Sequence, residues 1–165
     1  NLKINNIFFS KDKILELEES SILLFTGLQR KANVIAKDKV RNIKDNINDK
    51  NLENISKLTN QALQEVFFKK KLDLKKFGEA LKDQWEFKKK LSTKVSNNQI
   101  DKIFQEAYSK GAYGGKILGA GGGGFILFLV PKNKQKSFLK HFSKYLKVPF
   151  RIDNTGSQII YYSNN

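Results

Sequence analysis

The residues with the most chemical promise are glycines. The stretch Gly111-Ala-Tyr-Gly-Gly-Lys116-Ile-Leu-Gly119-Ala-Gly121-Gly122-Gly123-Gly124 holds eight of the chain's 11 glycines. Glycine loses more backbone freedom on folding than any other residue, so such a run needs a reason: positive φ angles, or backbone that approaches something closely. Successive exposed N–H groups can form a concave nest that binds phosphate oxygens. Two phosphate loops can be tested against the spacing. A P-loop requires Gly five residues before its Gly-Lys and Ser or Thr after it; here those positions are Lys110 and Ile117. Gly119 to Gly124 satisfies G-x-G-x-x-G as a string, but the dinucleotide fingerprint follows a strand and opens a helix. Here a helix precedes and a strand follows. Both loops are excluded, leaving an anion-binding loop or a tightly packed helix-to-strand connection.

Other reactive groups are sparse. The chain has no cysteine and a single histidine, His141, so disulfides, thiol nucleophiles, zinc clusters and His-based triads are excluded. The carboxylates are scattered over polar faces, and no pair has the apolar setting of general acid–base work. No catalytic residue and no metal site is assigned. His141, beside Phe142, reads as a boundary residue, and Trp85 as core.

The formal net charge is +15 over 165 residues, from 31 Lys+Arg against 16 Asp+Glu. Only Arg30, Arg41 and Arg151 are arginines. Base-edge recognition favours the planar fork of Arg, so specific nucleic-acid binding is disfavoured. Runs such as Lys69-Lys70-Lys71 and Lys88-Lys89-Lys90 fall at helix ends, where cations complement the helix dipole. A basic surface still attracts anionic small molecules. The longest apolar run, Phe125 to Pro131, is too short for a membrane span. With no signal peptide, the chain reads as a cytoplasmic domain. It contains no methionine and opens on Asn1-Leu2-Lys3-Ile4, so it reads as a fragment of a longer protein.

The elements that must position the loop follow from periodicity. Residues 2–9 and 21–27 carry strand-like residues, with a charged stretch between them. Ala32, Ile35, Ala36 and Val40 recur at helical spacing, as do Leu52, Ile55, Leu63, Val66 and Phe67. Leu74, Phe77, Leu81 and Trp85 mark a third helix capped by Asp73, and Ile100, Ile103, Phe104 and Ala107 a fourth after Asn97-Asn98. Beyond the loop come a buried strand at 125–130, a helix carrying Phe138, Leu139, Phe142 and Leu146, and strands at 148–152 and 158–162. No linker or repeat divides the chain, so residues 1–165 read as one α+β domain. The predicted architecture is a ferredoxin-like sandwich, a mostly antiparallel sheet with helices on one face.

Lys116-Ile-Leu-Gly-Ala-Gly-Gly-Gly-Gly-Phe125 resembles the third, C-terminal glycine motif of the GHMP small-molecule kinases (galactokinase, homoserine kinase, mevalonate kinase and relatives). Within that family, Leu23-Leu-Phe-Thr26-Gly-Leu-Gln-Arg30-Lys-Ala32 resembles a segment of the D-glycero-D-manno-heptose 7-phosphate kinases. So do Trp85-Glu-Phe-Lys-Lys-Lys-Leu-Ser92 with Ser96-Asn97 and Asp101, Gly111-Ala112, and Gly156-Ser157. The resemblance spans nearly the whole chain. It implies a ferredoxin-like C-terminal domain whose glycine loop faces an interdomain cleft. It also implies that the main ATP-phosphate loop, Pro-x-x-x-Gly-Leu-x-Ser-Ser, and the acidic residues for catalysis and magnesium lie in an N-terminal domain. Nothing in this chain matches those motifs.

Carried over residue by residue, the resemblance makes Gly119, Gly121, Gly122 and Gly123 sources of backbone N–H groups. Lys116 becomes a candidate for phosphate neutralisation or a merely solvated cation. Arg30 becomes a candidate for the substrate's own phosphate or a structural ion pair. Thr26 would meet a sugar hydroxyl or only cap a helix. The implied activity is transfer of the ATP γ-phosphate to the anomeric hydroxyl of a heptose 7-phosphate, with ATP and Mg2+ used by the parent enzyme and neither held tightly by this chain alone. The isolated chain is expected to be inactive. The alternatives are a GHMP kinase for galactose or fucose, and a non-catalytic anion- or nucleic-acid-binding module.

Overall fold

The computed structural model describes residues 9–28, 32–153, 156, 158, 159, 161 and 162. In chain order its elements are α1 (Lys11–Ser20), β1 (Ser21–Phe25), α2 (Ala32–Lys44) and α3 (Asp49–Ala62), which runs into a π-helical turn (Leu63–Phe67). Then come α4 (Leu74–Lys90), α5 (Asn98–Ser109), β2 (Gly114–Ile117), β3 (Phe125–Leu129), α6 (Lys132–His141) and β4 (Leu146–Val148). The sheet order is β2-β3-β1-β4 and each neighbouring pair is antiparallel. With helices between β1 and β2 and between β3 and β4, this is the ferredoxin-like arrangement, as predicted. None of the described helices is long and apolar enough to cross a membrane.

Alternation along the strands decides which side is core. Ile22 and Leu24 of β1 lie opposite Phe128 and Ile126 of β3, and Ile117 of β2 pairs with Ile126. All five are buried, in one cluster with Ile35, Trp85, Ile100, Ile103, Phe104, Ala107, Phe138 and Phe142 from the helices. Trp85 stacks on Phe104 with ring centroids 4.8 Å apart, and Phe104 meets Phe128 edge-on at 5.3 Å. Leu23, Phe25, Phe125 and Leu127 occupy the other face, where α3 and the first half of α4 shelter Leu127 together with Lys116.

Local signals explain most boundaries. The Asp73 carboxylate accepts from the Lys76 N–H at 3.0 Å, so the predicted cap forms, and the Asn97 side chain caps α5 in the same way, accepting from Ile100 N–H at 3.0 Å. At the end of α5, Gly111 sits at φ +92°. Its N–H donates to Tyr108 and that of Ala112 to Ala107, the paired bonds of a Schellman termination.

Four expectations need correcting, and one helix was not anticipated. The charged stretch at 10–20, given no element from sequence, is helical, started by the Ser10 hydroxyl. Of the stripe on α2, Ile35 is buried, but Ala36 and Val40 are exposed; the helix instead turns Asp38, Lys39 and Asn42 inward to polar partners. Helix α6 stops at His141, and Leu146 lies in β4 rather than on its apolar stripe. Residues 149–153 form no strand, since Pro149 cannot donate to a ladder. Glu18 instead pins the segment, accepting from the Ile152 N–H and an Arg151 guanidinium N–H at 2.7 Å each. Gln158, Ile159, Tyr161 and Tyr162 are also outside any strand. The strand expected at 2–9 lies, but for Phe9, outside the described residues.

Candidate functional site

The glycine run divides into two physical classes. Gly114 and Gly115 belong to β2 and exist for packing. A Cβ on Gly114 would stand 1.8 Å from the Gly78 carbonyl oxygen of α4, and one on Gly115 would stand 2.5 Å from the Phe128 ring. Here the tight-packing explanation holds. The loop proper, Leu118 to Gly124, has positive φ at Gly119, Gly121, Gly122, Gly123 and Gly124, which L-residues with side chains rarely adopt.

Three segments grip this loop. After β1, the Thr26 N–H and hydroxyl both donate to the Gly124 carbonyl at 2.9 Å, while the Gly124 N–H donates to Leu28 at 2.9 Å. After α4, the Val95 carbonyl accepts from the Gly122 N–H at 2.8 Å. The third grip is cationic. Lys88 Nζ donates to the carbonyls of Ile117 (3.0 Å) and Gly119 (2.9 Å), and Lys39 Nζ to that of Ala120 (3.0 Å). The fit is tight: a Cβ on Gly121 would lie 2.9 Å from the Val95 oxygen, and one on Gly123 would lie 2.3 Å from the Leu28 oxygen.

The environment of the cations is unusual. Burial, reinforced by the positive charges of Lys116 and Lys39, pushes Lys88 down to about 8. Burial also lowers Lys39. Beneath the loop, Asp38 is held below the usual carboxylate range first by the Ser92 hydroxyl and then by Lys94. This network, with Asn42 and Asn48 donating to the Leu91 carbonyl at 2.9 Å each, ties α2 to the turn that carries Val95.

Against this geometry the site residues sort themselves. The amides of Gly119, Gly121 and Gly123, with that of Ala120, make no hydrogen bond among the described residues. The Gly122 amide is committed to Val95, so Gly122 anchors the loop instead of offering a donor. Gly121 supplies the positive φ that packs against Val95. The Thr26 hydroxyl proton goes to Gly124 and its oxygen accepts from the Leu28 N–H at 3.2 Å, which ties the loop rather than capping α2. Lys116 Nζ donates to Gln84 at 3.1 Å on the α4 side of the sheet. Arg30 lies outside the described residues. His141 pairs with Glu106 at 3.0 Å at the boundary, and Trp85 is core, as predicted.

Sequence reasoning missed Lys88, Lys39 and Val95. Lys88 looked like one of three helix-end lysines, yet it lies seven residues after Leu81 and three after Trp85, on the buried side of α4. That spacing was the available signal. No group of three or more His, Asp or Glu side chains among the described residues is placed to hold a metal ion.

Comparison with known proteins identifies the family of the chain. The family described as GHMP kinases C terminal matches residues 43–148. A D-glycero-alpha-D-manno-heptose 7-phosphate kinase from Campylobacter jejuni is 34% identical over 131 residues, covering 78% of this chain and 37% of that protein. A bifunctional fucokinase/GDP-fucose pyrophosphorylase from Arabidopsis thaliana is 29% identical over 140 residues, 82% of this chain and 13% of that one. Among solved structures, Methanococcus jannaschii mevalonate kinase shares the fold with a TM-score of 0.67 at 24% identity, over 88% of this chain and 44% of that one. The chain therefore spans less than half the length of each of these relatives. By the match over residues 43–148, it belongs to the GHMP kinases and carries their C-terminal domain.

Proposed function

We propose that this chain is the C-terminal part of an ATP-dependent sugar kinase that phosphorylates the anomeric hydroxyl of D-glycero-D-manno-heptose 7-phosphate. The observation that carries the reading is the convergence on one glycine loop of the segments at Thr26–Leu28 and Lys88–Val95. The same two segments carry the likeness to heptose kinases, and the Campylobacter relative of that name supports the substrate class.

Phosphoryl transfer is governed by positioning and by stabilising charge on the transferred oxygens. In this proposal the loop supplies positioning. The unbonded amides of Gly119, Ala120, Gly121 and Gly123 receive phosphoryl or sugar oxygens, and the +15 chain draws anionic substrates toward the cleft. Arg30, four residues beyond Thr26, is proposed to bind the substrate's own phosphate. ATP is the phosphoryl donor and Mg2+ its companion ion; the residues that hold them are assigned to an N-terminal domain, and the chain alone is proposed to be inactive. A cytoplasmic location fits a kinase that consumes ATP.

The test is a substrate panel with the full-length gene product: heptose 7-phosphate, fucose, galactose and mevalonate, each with ATP. A kcat/KM at least about a hundredfold higher for heptose 7-phosphate is expected, since charge-assisted phosphate contacts discriminate by several kcal/mol. Preference for an unphosphorylated sugar or for mevalonate would refute the substrate assignment.

A further inference from the structure

The cationic grip has a stereochemical consequence. In a trans peptide the carbonyl of one residue and the N–H of the next point in opposite directions. The Gly119 carbonyl is held by Lys88 and the Ala120 carbonyl by Lys39. The N–H groups of Ala120 and Gly121 are thereby turned toward the opposite side of the loop. Gly119 at φ +69° and Gly121 at φ +106° flank this pair of peptides. Left to itself, a run of glycines samples many conformations, so what fixes its amides decides whether they form a binding site.

We propose that Lys88 and Lys39 are positioning residues, a lysine clamp that holds the loop carbonyls on one side so that the amides of Ala120 and Gly121 present a preorganised anion site on the other. This rests on the reading of the loop as the phosphate-receiving element. Neither lysine meets the phosphate; each acts through the peptide it holds. Lys88, in contact with two carbonyls, carries most of the effect. The clamp works best while Lys88 is protonated, because the ammonium donates charge-assisted hydrogen bonds. The charges bearing on Lys88 are Lys116 on β2 and Lys39 on α2, both positive, and with burial they place its titration near 8. The clamp therefore loosens just above neutral pH.

The test uses the full-length protein and its Lys88→Met, Lys88→Arg and Lys39→Met variants. The first readout is amide hydrogen exchange at pH 7 in the peptide covering residues 117–125. The expected result for Lys88→Met is exchange faster by about tenfold or more, the scale of one lost charge-assisted hydrogen bond. Lys39→Met should give a smaller increase, Lys88→Arg should restore protection, and peptides from α5 and α6 should be unchanged. The second readout is binding of inorganic pyrophosphate between pH 7 and 9. Wild type should lose affinity through pH 8 more steeply than Lys88→Arg, whose guanidinium stays charged; Lys88→Met should bind weakly throughout. Unchanged exchange at 117–125 in Lys88→Met would overturn the clamp, as would identical pH profiles for wild type and Lys88→Arg. A wild-type protein that does not bind pyrophosphate would refute the phosphate role of the loop, while the exchange data would still judge the clamp.

Discussion

Two glycines of the same run should fail in different ways when given a methyl group. At Gly114 the new Cβ would stand 1.8 Å from the Gly78 carbonyl oxygen and 2.4 Å from its carbon, against an ordinary contact of 3.4 Å or more. Both neighbours are backbone, so no rotamer relieves the clash; α4 must move off the β2 edge. That helix carries the buried Trp85 and the Lys88 clamp. Overpacking of this kind costs about 3 kcal/mol, the upper end of its usual range. For a domain of this size, that lowers Tm by roughly 6–12 °C. At Gly119 nothing lies within 4 Å of the added Cβ, and the only cost is φ +69°. Left-handed strain is about 1–2 kcal/mol, which corresponds to roughly 2–8 °C in Tm. Thermal unfolding followed by circular dichroism, with pyrophosphate binding measured on the same samples, separates the two. Gly114→Ala should melt markedly earlier than Gly119→Ala, and Gly119→Ala should lose proportionately more binding than stability. A Gly114→Ala protein that melts within about 2 °C of wild type, a shift below 1 kcal/mol, would refute the close-approach argument.

Other consequences are briefer. Thr26→Val keeps the shape but removes the hydroxyl that bridges Gly124 and Leu28, and should cost about 1–2 kcal/mol by denaturant unfolding. Folding lowers the carboxyl pKa of Asp38 and Glu18, so the unfolded chain binds protons more readily in acid. Their contribution is complete above the ordinary carboxylate range, near about 4, and drains away as pH falls through the lowered folded values. Asp38→Asn should therefore narrow the stability gap between pH 7 and acid, as measured by urea midpoints. Arg30→Ala should raise KM for a phosphorylated sugar about tenfold or more, the loss of a charged hydrogen bond, with little change in the KM for ATP; an unchanged sugar KM would refute the assignment.

Much of the molecule was legible in the chain because its signals were local. Asp73 and Asn97 announced helix starts that the structure realises, and the Leu81–Trp85 spacing announced a buried face. The loop was legible because only positive φ or close approach explains so many glycines, and the structure shows both causes. What stayed hidden depends on partners distant in sequence. Strand β2 looked like part of the loop, since nothing in Gly-Gly-Lys-Ile says strand until β3 and the Gly78 turn of α4 lie beside it. Lys88 read as a helix-end cation because its acceptors lie 29 and 31 residues away. The bond from the Thr26 hydroxyl to Gly124 was hidden because that acceptor lies 98 residues on.

The most direct test of the central claim is 31P NMR of the product formed by the full-length protein from ATP and D-glycero-D-manno-heptose 7-phosphate. A sugar bearing two phosphates, the new one coupled to the anomeric proton, is the expected result. Transfer to any other hydroxyl, or ATP consumption with no second phosphate on the sugar, would contradict it.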